Sequence, residues 1–422
     1  MRRPRPTKPS YSPPRELTIQ RLGAQGDGIA AGPVYVPHTL AGETVLAGVA
    51  GEWAELETVL QASPERVAPP CPHFGPCGGC AFQHWDHAPY LAWKVAQVAE
   101  LLARETLSPD ILPAFAAAPG SRRRVALHAR QGSREAAKLG YKGRRSWDLV
   151  PIEACTIADP RIVAALPMLR RLAAPLFERS KSAPNLHVTL TETGLDIDIQ
   201  GVEGSNGGLS VGGRVRLAQI AAEADFARVT LAGETVYGAR QPVVRFGKAT
   251  VALPPGGFLQ AVAQAEAEMA ALAVEAVAGA SRLADLFCGA GAFTLRLAEV
   301  GVVMAADSTE AAIAALRAGA GVPGLKGVTA EVRDLYRRPY SAKELKHVEA
   351  VVFDPPRAGA ADQAREIAAS GARVAVGVSC NAGTFVRDAR ILVDGGFRLT
   401  KVKPVDQFLW SPHIELVGVF ER

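Results

Sequence analysis

Four of the six cysteines in the chain are spaced as ligands of a metal centre would be. Cys71, Cys77 and Cys80 stand in CPHFGPCGGC as C-x5-C-x2-C, and Cys155 follows in PIEACTIADP. The intervening glycines let a loop curl around a metal centre and aim amide groups at sulfur. Disulfides are unusual in a cytoplasmic enzyme of this size. A four-cysteine zinc site and a [4Fe–4S] cluster both stay open, and the spacing favours the cluster because only Cys77 and Cys80 form a CxxC pair.

A glycine-rich turn in ADLFCGAGAFTLRLA indicates a cofactor pocket. Gly289 and Gly291 allow a ligand to approach the backbone at the carboxyl end of a strand. Asp307 ends the next apolar strand, GVVMAAD, where an acid can bind ribose hydroxyls. The alternative is a strand-end acid that contacts no ligand. No GxGxxG motif is present, which argues against a nicotinamide dinucleotide.

Two further acids end predicted strands of the same region. Asp334 follows VTAEVR and could reach the adenine side of a cofactor, although an ordinary turn residue is an equal alternative. Asp354 opens DPPR directly after AVVF, and the two prolines make a rigid loop at the edge of the sheet. This arrangement predicts Asp354 beside the cofactor and Arg357 towards a substrate.

A possible nucleophile, Cys380, ends the apolar segment VAVGVSC just before a predicted helix. A helix N-terminus there would stabilise its thiolate, whereas an isolated free thiol is commonly a buried structural residue, as Cys288 is expected to be. Glu415, in FLWSPHIELVGVF, is an acid among apolar neighbours. The pattern alone does not choose between Glu415 and His413 as a general base.

The elements that must position these residues fall into three regions. Short alternating segments with glycine turns over 17–62 predict a small β-barrel, and a helix is predicted from Pro89 to Arg104. Residues 122–245 read as an antiparallel sheet with a few helices. From about residue 250, strands alternate with alanine-rich helices, which predicts a doubly wound α/β sheet.

The charge is unevenly distributed although the net charge is only +5. Residues 1–16 carry five basic residues and one acid, and residues 122–145, called here the basic stretch, carry nine and one. These segments sum to +12, which leaves 5 − 12 = −7 for the remainder. The asymmetry points to a polyanionic partner. For residues 1–16 a merely solvated arm is an equal alternative, whereas the basic stretch favours nucleic acid because its charges fall within one short segment. No apolar run is long enough to span a membrane, and a cytoplasmic location is expected.

Several motifs in the same order resemble the RNA 5-methyluridine methyltransferases, specifically the iron–sulfur branch that acts on 23S ribosomal RNA. The matching segments are CPHFGPCGGC with Cys155, GGFLQA, DLFCGAGAFTL, FDPPRAG, VSCNAGTFVRD and DQFLWSPHIELV. The resemblance implies a disordered basic arm over 1–13 and an OB-like TRAM barrel for RNA binding over 14–66. It further implies a central α+β iron–sulfur domain over 67–245 and a Rossmann-like methyltransferase domain over 246–422.

The same resemblance assigns roles to individual residues. It implies that S-adenosylmethionine is bound by Gln260, Phe287, Asp307, Asp334 and Asp354. It makes Cys380 the nucleophile and Glu415 the base, and it gives a [4Fe–4S] cluster to the four cysteines. A monomer that binds RNA is expected.

The chain departs from the family pattern at four places. The family has Asn where Ala292 stands, so one contact to the cofactor is missing, and Pro where Ala382 stands. Leu409 and Ser411 replace Pro and Thr in the terminal motif. These changes spare the nucleophile and the base, but they leave the particular RNA target open.

The chemistry implied for uracil needs both catalytic residues. Attack by the Cys380 thiolate on C6 concentrates electron density at C5, which accepts the methyl group, and Glu415 then removes the C5 proton. The target uridine must leave its stack, so unpaired RNA is expected. The alternatives are a tRNA substrate, a non-catalytic iron–sulfur RNA-binding protein, and an RNA cytosine methyltransferase, which would need a second cysteine in the DPPR motif.

Overall fold

The N-terminal region of the computed structural model is a closed barrel of five strands, in the order β1-β2-β3-β5-β4. The structure describes residues 10–178, 182–202 and 208–422, so most of the predicted basic arm, residues 1–9, lies outside the described residues. Alternate residues such as Ile19, Val45 and Ala47 fill the barrel interior. The strands are β1 (Arg15–Leu22), β2 (Gly28–Ala30), β3 (Val34–Val36), β4 (Thr44–Ala50) and β5 (Trp53–Gln61).

The cysteine loop follows the barrel and leads into helix α1 (His87–Arg104), in agreement with the predicted helix. Asp86 caps α1 by accepting a hydrogen bond from the Ala88 amide. One face of the helix is buried, with Tyr90, Lys94, Val98 and Leu102 at intervals of four residues. This face packs against a helix and a strand of the C-terminal region, which is described below.

The central region is a seven-stranded sheet in the order β10-β9-β8-β11-β12-β13-β14, and only β12 and β13 pair in parallel. It has the α+β composition that the sequence predicts. Two short strands precede it, β6 (Asp110–Ile111) and β7 (Phe115–Ala116). Its strands are β8 (Arg124–Arg130), β9 (Lys138–Lys142), β10 (Leu149–Pro151), β11 (Asn185–Thr191), β12 (Gly194–Gln200), β13 (Arg228–Leu231) and β14 (Glu234–Gly238). Its helices are α2 (Pro160–Ala164), α3 (Leu166–Ala173) and α4 (Val211–Glu223), with a 3₁₀ turn at Ala174–Phe177.

The C-terminal region is the predicted doubly wound sheet. A hairpin of β15 (Val243–Phe246) and β16 (Ala249–Ala252) leads into it across the predicted domain boundary. Its strands are β17 (Arg282–Leu286), β18 (Val302–Asp307), β19 (Val328–Val332), β20 (Ala350–Phe353), β21 (Val374–Ser379), β22 (Arg398–Asp406) and β23 (Glu415–Glu421). Its helices are α5 (Ala263–Ala276), α6 (Thr294–Leu297), α7 (Glu310–Gly319), α8 (Ala361–Ala369) and α9 (Ala382–Asp394).

Strand order in this sheet creates the crevice in which a ligand can bind. The order is β19-β18-β17-β20-β21-β23-β22-β6, and β7 also pairs with β22. The chain runs outward from β17 through β18 to β19 and then returns to β20 on the other side, so the carboxyl ends of β17 and β20 flank a topological switch point. Helices α1, α8 and α9 cover one face, and α5 and α6 cover the other.

The C-terminal sheet extends beyond the residues that the sequence assigns to it. Strands β6 and β7 lie in the range predicted for the central domain, yet they pair in parallel with β22. Such two-residue strands carry too little periodicity to be read from sequence. Within the described ranges, no helix is long and apolar enough to cross a membrane.

Candidate active site

The glycine turn after β17 forms an open cradle at the switch point. Phe287 adopts a positive φ of 62°, which is uncommon for a residue with a side chain and marks a tight turn. A Cβ atom added at Gly289 would meet no atom within 4 Å, whereas one at Gly291 would lie 2.5 Å from Leu316. The Gly289 position therefore faces free space, and Gly291 lets the turn pack on α7.

Asp307 is hydrogen-bonded to this turn, beside the place where the sequence predicts a ribose. Its Oδ2 accepts a hydrogen bond from the Gly289 amide at 3.0 Å, and its Oδ1 accepts one from the Thr309 amide at 2.8 Å. The carboxylate is thus fixed at the end of β18, beside the open cradle, where it can accept hydrogen bonds from ribose hydroxyls.

Asp285 is a buried acid of the pocket that sequence reasoning missed. It is fully buried beneath the glycine turn, and Thr294 donates a hydrogen bond to its Oδ2 at 2.5 Å. Its Oδ1 has no hydrogen-bond partner. Burial raises the pKa of Asp285 to about 7. An acid inside an otherwise apolar strand, immediately before a glycine turn, was the signal that could have found it.

Asp334 lies on the far side of the cradle with mainly local contacts. Its Oδ1 accepts hydrogen bonds from the amides of Tyr336 and Arg337, at 3.0 and 3.3 Å. The Tyr336 ring lies 5.5 Å from that of Phe287, centroid to centroid. This pair brings Phe287 and the Asp334 turn to one edge of the pocket, although the Asp334 carboxylate mainly closes its own turn.

A relay of amides holds Asp354 at the carboxyl end of β20. Gln260 donates from Nε2 to Asp354 Oδ2 at 3.1 Å, and its Oε1 accepts from Gln407 Nε2 at 2.7 Å. Gln407 Oε1 in turn accepts from the Ala261 amide at 3.1 Å. Both glutamines are buried. The relay gives the two amide groups fixed orientations, and Gln407 was not predicted from the sequence.

Cys380 and Glu415 meet at the ends of two neighbouring antiparallel strands. In the register of β21 and β23, Ser379 lies opposite Leu416, so the residue after Ser379 and the residue before Leu416 are adjacent. Glu415 is 3% exposed, and its Oε2 has no hydrogen-bond partner. The structure therefore brings the predicted nucleophile and base together, next to Asp354.

The electrostatics of this pair differ from the prediction of a stabilised thiolate. Burial, followed by the charges of Glu415 and Asp354, raises the pKa of Cys380 above its usual range. Helix α9 is capped by Asn381, which accepts from the Gly383 amide, so Cys380 stands one residue outside the cap. The dipole expected to favour the thiolate is weaker there than the effects of burial and carboxylates.

The carboxyl groups of the site are also perturbed. Burial and the nearby Asp354 raise the pKa of Glu415 to about 8, against a smaller opposing effect of a hydrogen bond from Gln407. Burial raises the pKa of Asp354 itself to about 7. Such acids exchange protons near neutral pH, which suits a general base.

His413, the alternative base in the sequence pattern, faces a different cavity. It lines the space of about 360 Å³ that the four cysteines also line. Burial, together with the charges of Arg357 and Lys94, lowers its pKa.

The four cysteines predicted as ligands all line this one cavity. Within the cysteine loop, the Cys77 amide donates a hydrogen bond to the His73 carbonyl at 3.0 Å. The Gly78 amide donates to the carbonyl of Lys142, the last residue of β9, also at 3.0 Å, and this bond holds the loop against β9. Burial raises the pKa of Cys80 to about 12, and repulsion from the other three thiolates adds to this effect. Among the residues that the structure describes, no group of three or more side chains is placed to hold a metal ion.

Proteins related to this chain are RNA methyltransferases. No family model matches the chain. A protein of Caulobacter vibrioides, named an uncharacterized RNA methyltransferase, is 60% identical over 97% of this chain and 100% of its own length. The 23S rRNA (uracil(1939)-C(5))-methyltransferase RlmD of Chromohalobacter salexigens is 31% identical over 96% of this chain and 89% of its own length. The chain belongs to the RNA 5-methyluridine methyltransferase family.

A solved structure supports the methyltransferase fold over nearly the full length. The Pyrococcus abyssi tRNA (uracil-54, C5)-methyltransferase, in complex with S-adenosyl-L-homocysteine, superposes with a TM-score of 0.74. It is 21% identical and covers 96% of this chain and 99% of its own. The S-adenosylmethionine-dependent methyltransferase fold predicted from the sequence is confirmed.

In this member of the RNA 5-methyluridine methyltransferase family, part of the basic stretch is neutralised by ion pairs. Arg123 lies 2.7 Å from Glu266, and Arg144 and Arg145 lie 3.0 and 2.6 Å from Asp27 of the barrel. These three arginines join regions of the protein to one another. A charge count along the sequence therefore overstates the positive charge that is available to RNA, because it does not show acidic partners that are distant in sequence.

Proposed function

We propose that this protein transfers a methyl group from S-adenosylmethionine to C5 of a uridine in RNA, with Cys380 bonded to C6 during the reaction. The observation that carries the proposal is the strand register that sets Cys380 beside Glu415, at the sheet edge that also holds Asp354. A nucleophile and a buried base on one side of a cofactor cradle fit a reaction that must both activate C5 and deprotonate it.

The residues of the cradle fit the cofactor. The space beside Gly289 is open, and a hydrogen bond from the Gly289 amide fixes the Asp307 carboxylate where it can accept hydrogen bonds from ribose hydroxyls. Asp285 has one buried carboxylate oxygen without a hydrogen-bond partner. Gln260, Phe287, Asp334 and Asp354 complete the proposed contact set. S-adenosylmethionine carries a positive sulfonium, whose methyl group is the electrophile, and buried carboxylates at this edge favour a cation.

The steps assigned to the protein are a nucleophilic addition and an elimination. After its proton is lost to solvent, the Cys380 thiolate forms a bond to C6, and the electron pair displaced from the C5–C6 double bond makes C5 nucleophilic towards the methyl group. Glu415 then takes the C5 proton, the double bond re-forms, and the C6–sulfur bond breaks with its electron pair returning to Cys380. Glu415 must be ionised to accept the proton, although its raised pKa leaves it largely protonated near neutral pH.

The four cysteines are proposed to hold a [4Fe–4S] cluster. Support comes from the family resemblance of their spacing and from the one cavity that all four side chains line. The cysteine ligands would be Cys71, Cys77, Cys80 and Cys155. Visible absorbance with iron and sulfide in anaerobically purified protein supports the cluster, whereas zinc and no colour contradict it.

The barrel is proposed to be a TRAM domain that binds RNA. Trp53 is 38% exposed on the barrel. The Tyr35 and Trp53 ring centroids lie 4.9 Å apart, and the Arg145 guanidinium lies 3.8 Å from the centroid of the Trp53 ring. Exposed aromatic rings are suited to stacking unpaired bases. We also propose the domain limits predicted from the sequence, which are 14–66, 67–245 and 246–422. A cytoplasmic location and a monomeric enzyme are further parts of the proposal.

The proposed substrate is 23S ribosomal RNA. Support comes from the printed activity of the RlmD relative and from the four cysteines, which the tRNA branch of the family generally lacks. A tRNA substrate is the alternative, because the P. abyssi enzyme named above acts on tRNA.

The deciding experiment uses purified protein, labelled S-adenosylmethionine, and 23S rRNA or tRNA from a strain that lacks the gene. We expect labelled 5-methyluridine in 23S rRNA and none in tRNA, and mass spectrometric mapping gives its position. Label in tRNA alone contradicts the ribosomal assignment. Label in neither RNA, from protein that binds the cofactor, contradicts the proposed activity.

A further inference from the structure

A buried Lys–Tyr–Asp triad joins α1 to the end of β22. Lys94 Nζ lies 2.7 Å from Asp406 Oδ1, and the Tyr90 hydroxyl donates to Asp406 Oδ2 at 2.7 Å. Lys94 also donates to the Tyr90 oxygen at 2.9 Å. Lys94 is 2% exposed and Asp406 is fully buried. A chain rarely buries such charges, because desolvation offsets much of the attraction between them.

The triad stands directly before the segment that leads to the catalytic base. Asp406 is the last residue of β22, and residues 407–414 connect it to Glu415. The first residue of this connection, called here the base segment, is Gln407, whose side chain contacts Gln260 and also lowers the pKa of Glu415. The position of Asp406 therefore sets where Gln407 begins.

The chain that follows the cysteine loop also holds the middle of the base segment. The amides of Ala81 and Phe82 both donate to the Trp410 carbonyl, at 2.7 and 3.1 Å. Trp410 has a positive φ of 57°, and the Tyr90 hydroxyl lies 3.4 Å from the Ser411 carbonyl oxygen. A turn in this conformation needs surrounding contacts to persist. The base segment is thus fixed from one side by the cysteine loop and α1, and from the other by Gln260.

We propose that Lys94 and Tyr90 are positioning residues for the catalytic base: they hold Asp406, and through it Gln407 and Glu415, in the geometry needed to remove the C5 proton. This inference rests on the proposed function. Neither residue touches the reacting atoms. Their effect belongs to the elimination step, in which the proton passes from C5 to Glu415 and the C6–sulfur bond breaks.

Displacement of the base should slow that last step more than the earlier ones. Attack by Cys380 and methyl transfer do not require Glu415 as an acceptor, so a methylated covalent adduct should form and persist. A shift of about 1 Å in a catalytic group can cost up to about 100-fold in rate. A residue needed only for folding would instead lower stability and leave the turnover of each folded molecule unchanged.

The test compares Lys94→Met and Tyr90→Phe with Arg228→Met in the full-length protein. Arg228→Met is the matched control, because it breaks another buried ion pair, Arg228–Asp196 at 2.7 Å, within the central sheet. Tyr90→Phe keeps the Lys94–Asp406 pair and decides the question if Lys94→Met does not fold. The measurements are cofactor affinity, turnover per folded molecule, and label in a protein–RNA band stable to denaturing electrophoresis.

We expect Lys94→Met and Tyr90→Phe to reduce turnover by about 10- to 100-fold, with unchanged cofactor affinity and accumulation of labelled adduct. Arg228→Met should lower the melting temperature without adduct. Unchanged turnover in the Lys94 and Tyr90 variants, or reduced turnover without adduct, overturns the inference. If the wild-type protein itself labels no uracil, the proposed function has failed, and this separates the two results.

Discussion

The active-site edge and the cysteine cavity both contain acidic groups whose pKa is raised by burial, but these groups have different hydrogen-bond partners. At the active-site edge, Asp354 and Glu415 are reached by glutamine amides, and their pKa values are about 7 and 8. In the cysteine cavity, burial raises the pKa of Cys80 to about 12. The contacts to sulfur there are long, such as 3.9 Å from the Tyr141 hydroxyl to Cys155 Sγ.

The difference indicates two ways of using buried acidity. Carboxyl groups near pH 7 or 8 can be neutral in one step and charged in the next, which a proton acceptor requires. A thiol with a pKa near 12, such as that of Cys80, is not a thiolate at neutral pH unless a metal takes the place of the proton. The first region is suited to proton exchange, whereas the second would need the proposed metal to form thiolates.

Removal of the nucleophile gives the largest expected effect. Cys380→Ala should lower methylation by at least about 10⁴-fold, because no other group can make the bond to C6. Cofactor affinity, measured by calorimetry, should be unchanged, since Cys380 lies outside the glycine cradle. Methylation at the wild-type rate in this variant would refute the covalent mechanism.

Removal of the base should trap the reaction rather than prevent it. Glu415→Gln is expected to lower turnover by about 10³-fold and to accumulate a covalent protein–RNA adduct, visible as a shifted band on a denaturing gel. Free RNA and free enzyme alone, after incubation with cofactor, would count against Glu415 as the base.

The same variant tests whether the buried carboxyl group behaves as described. The pKa of Glu415 is raised from 4.5 to about 8 on folding, so the folded state holds an extra proton between those values and stability falls as the pH rises through them. Relative to wild type, Glu415→Gln should therefore gain stability from pH 5 to pH 8, by a few kcal/mol at most. A constant difference between the two melting curves over this range would contradict the raised pKa.

Turnover of the wild-type protein should increase with pH. The fraction of Glu415 that is ionised rises by about fiftyfold between pH 6 and pH 8, and the raised pKa of Cys380 acts in the same direction. Single-turnover rates over pH 6–9 measure this effect. A rate that is level or falls across the range would indicate another base.

The cysteine cavity should show a smaller effect on the chemistry. Cys77→Ser and Cys155→Ser are expected to lose metal and visible absorbance and to melt several degrees lower, with turnover per folded molecule reduced far less than in Cys380→Ala. Cys288→Ser, which lies outside the cavity, should keep the absorbance. Equal absorbance in all three variants would remove the distinction between the two regions.

The alternation of strands and helices allowed the doubly wound sheet to be predicted, because each element there is long enough to show its period. The motif residues Asp307, Asp354, Cys380 and Glu415 also lie where strand ends meet. Gln407 was missed, since its importance comes from contacts with Gln260 and Ala261, 147 and 146 residues away along the chain. Polar contacts between distant segments leave no periodic trace in a sequence.

Strands β6 and β7 have a consequence for how the protein is made. Asp110 pairs with Lys401, and these residues are separated by 401 − 110 = 291 positions. During synthesis, this edge of the C-terminal sheet cannot close until β22 has left the ribosome, because so long a stretch of chain separates β6 from β22. The barrel, whose strand pairs span fewer than fifty residues, can form long before. The barrel proposed to bind RNA can thus be complete on the nascent chain before this edge of the C-terminal sheet has formed.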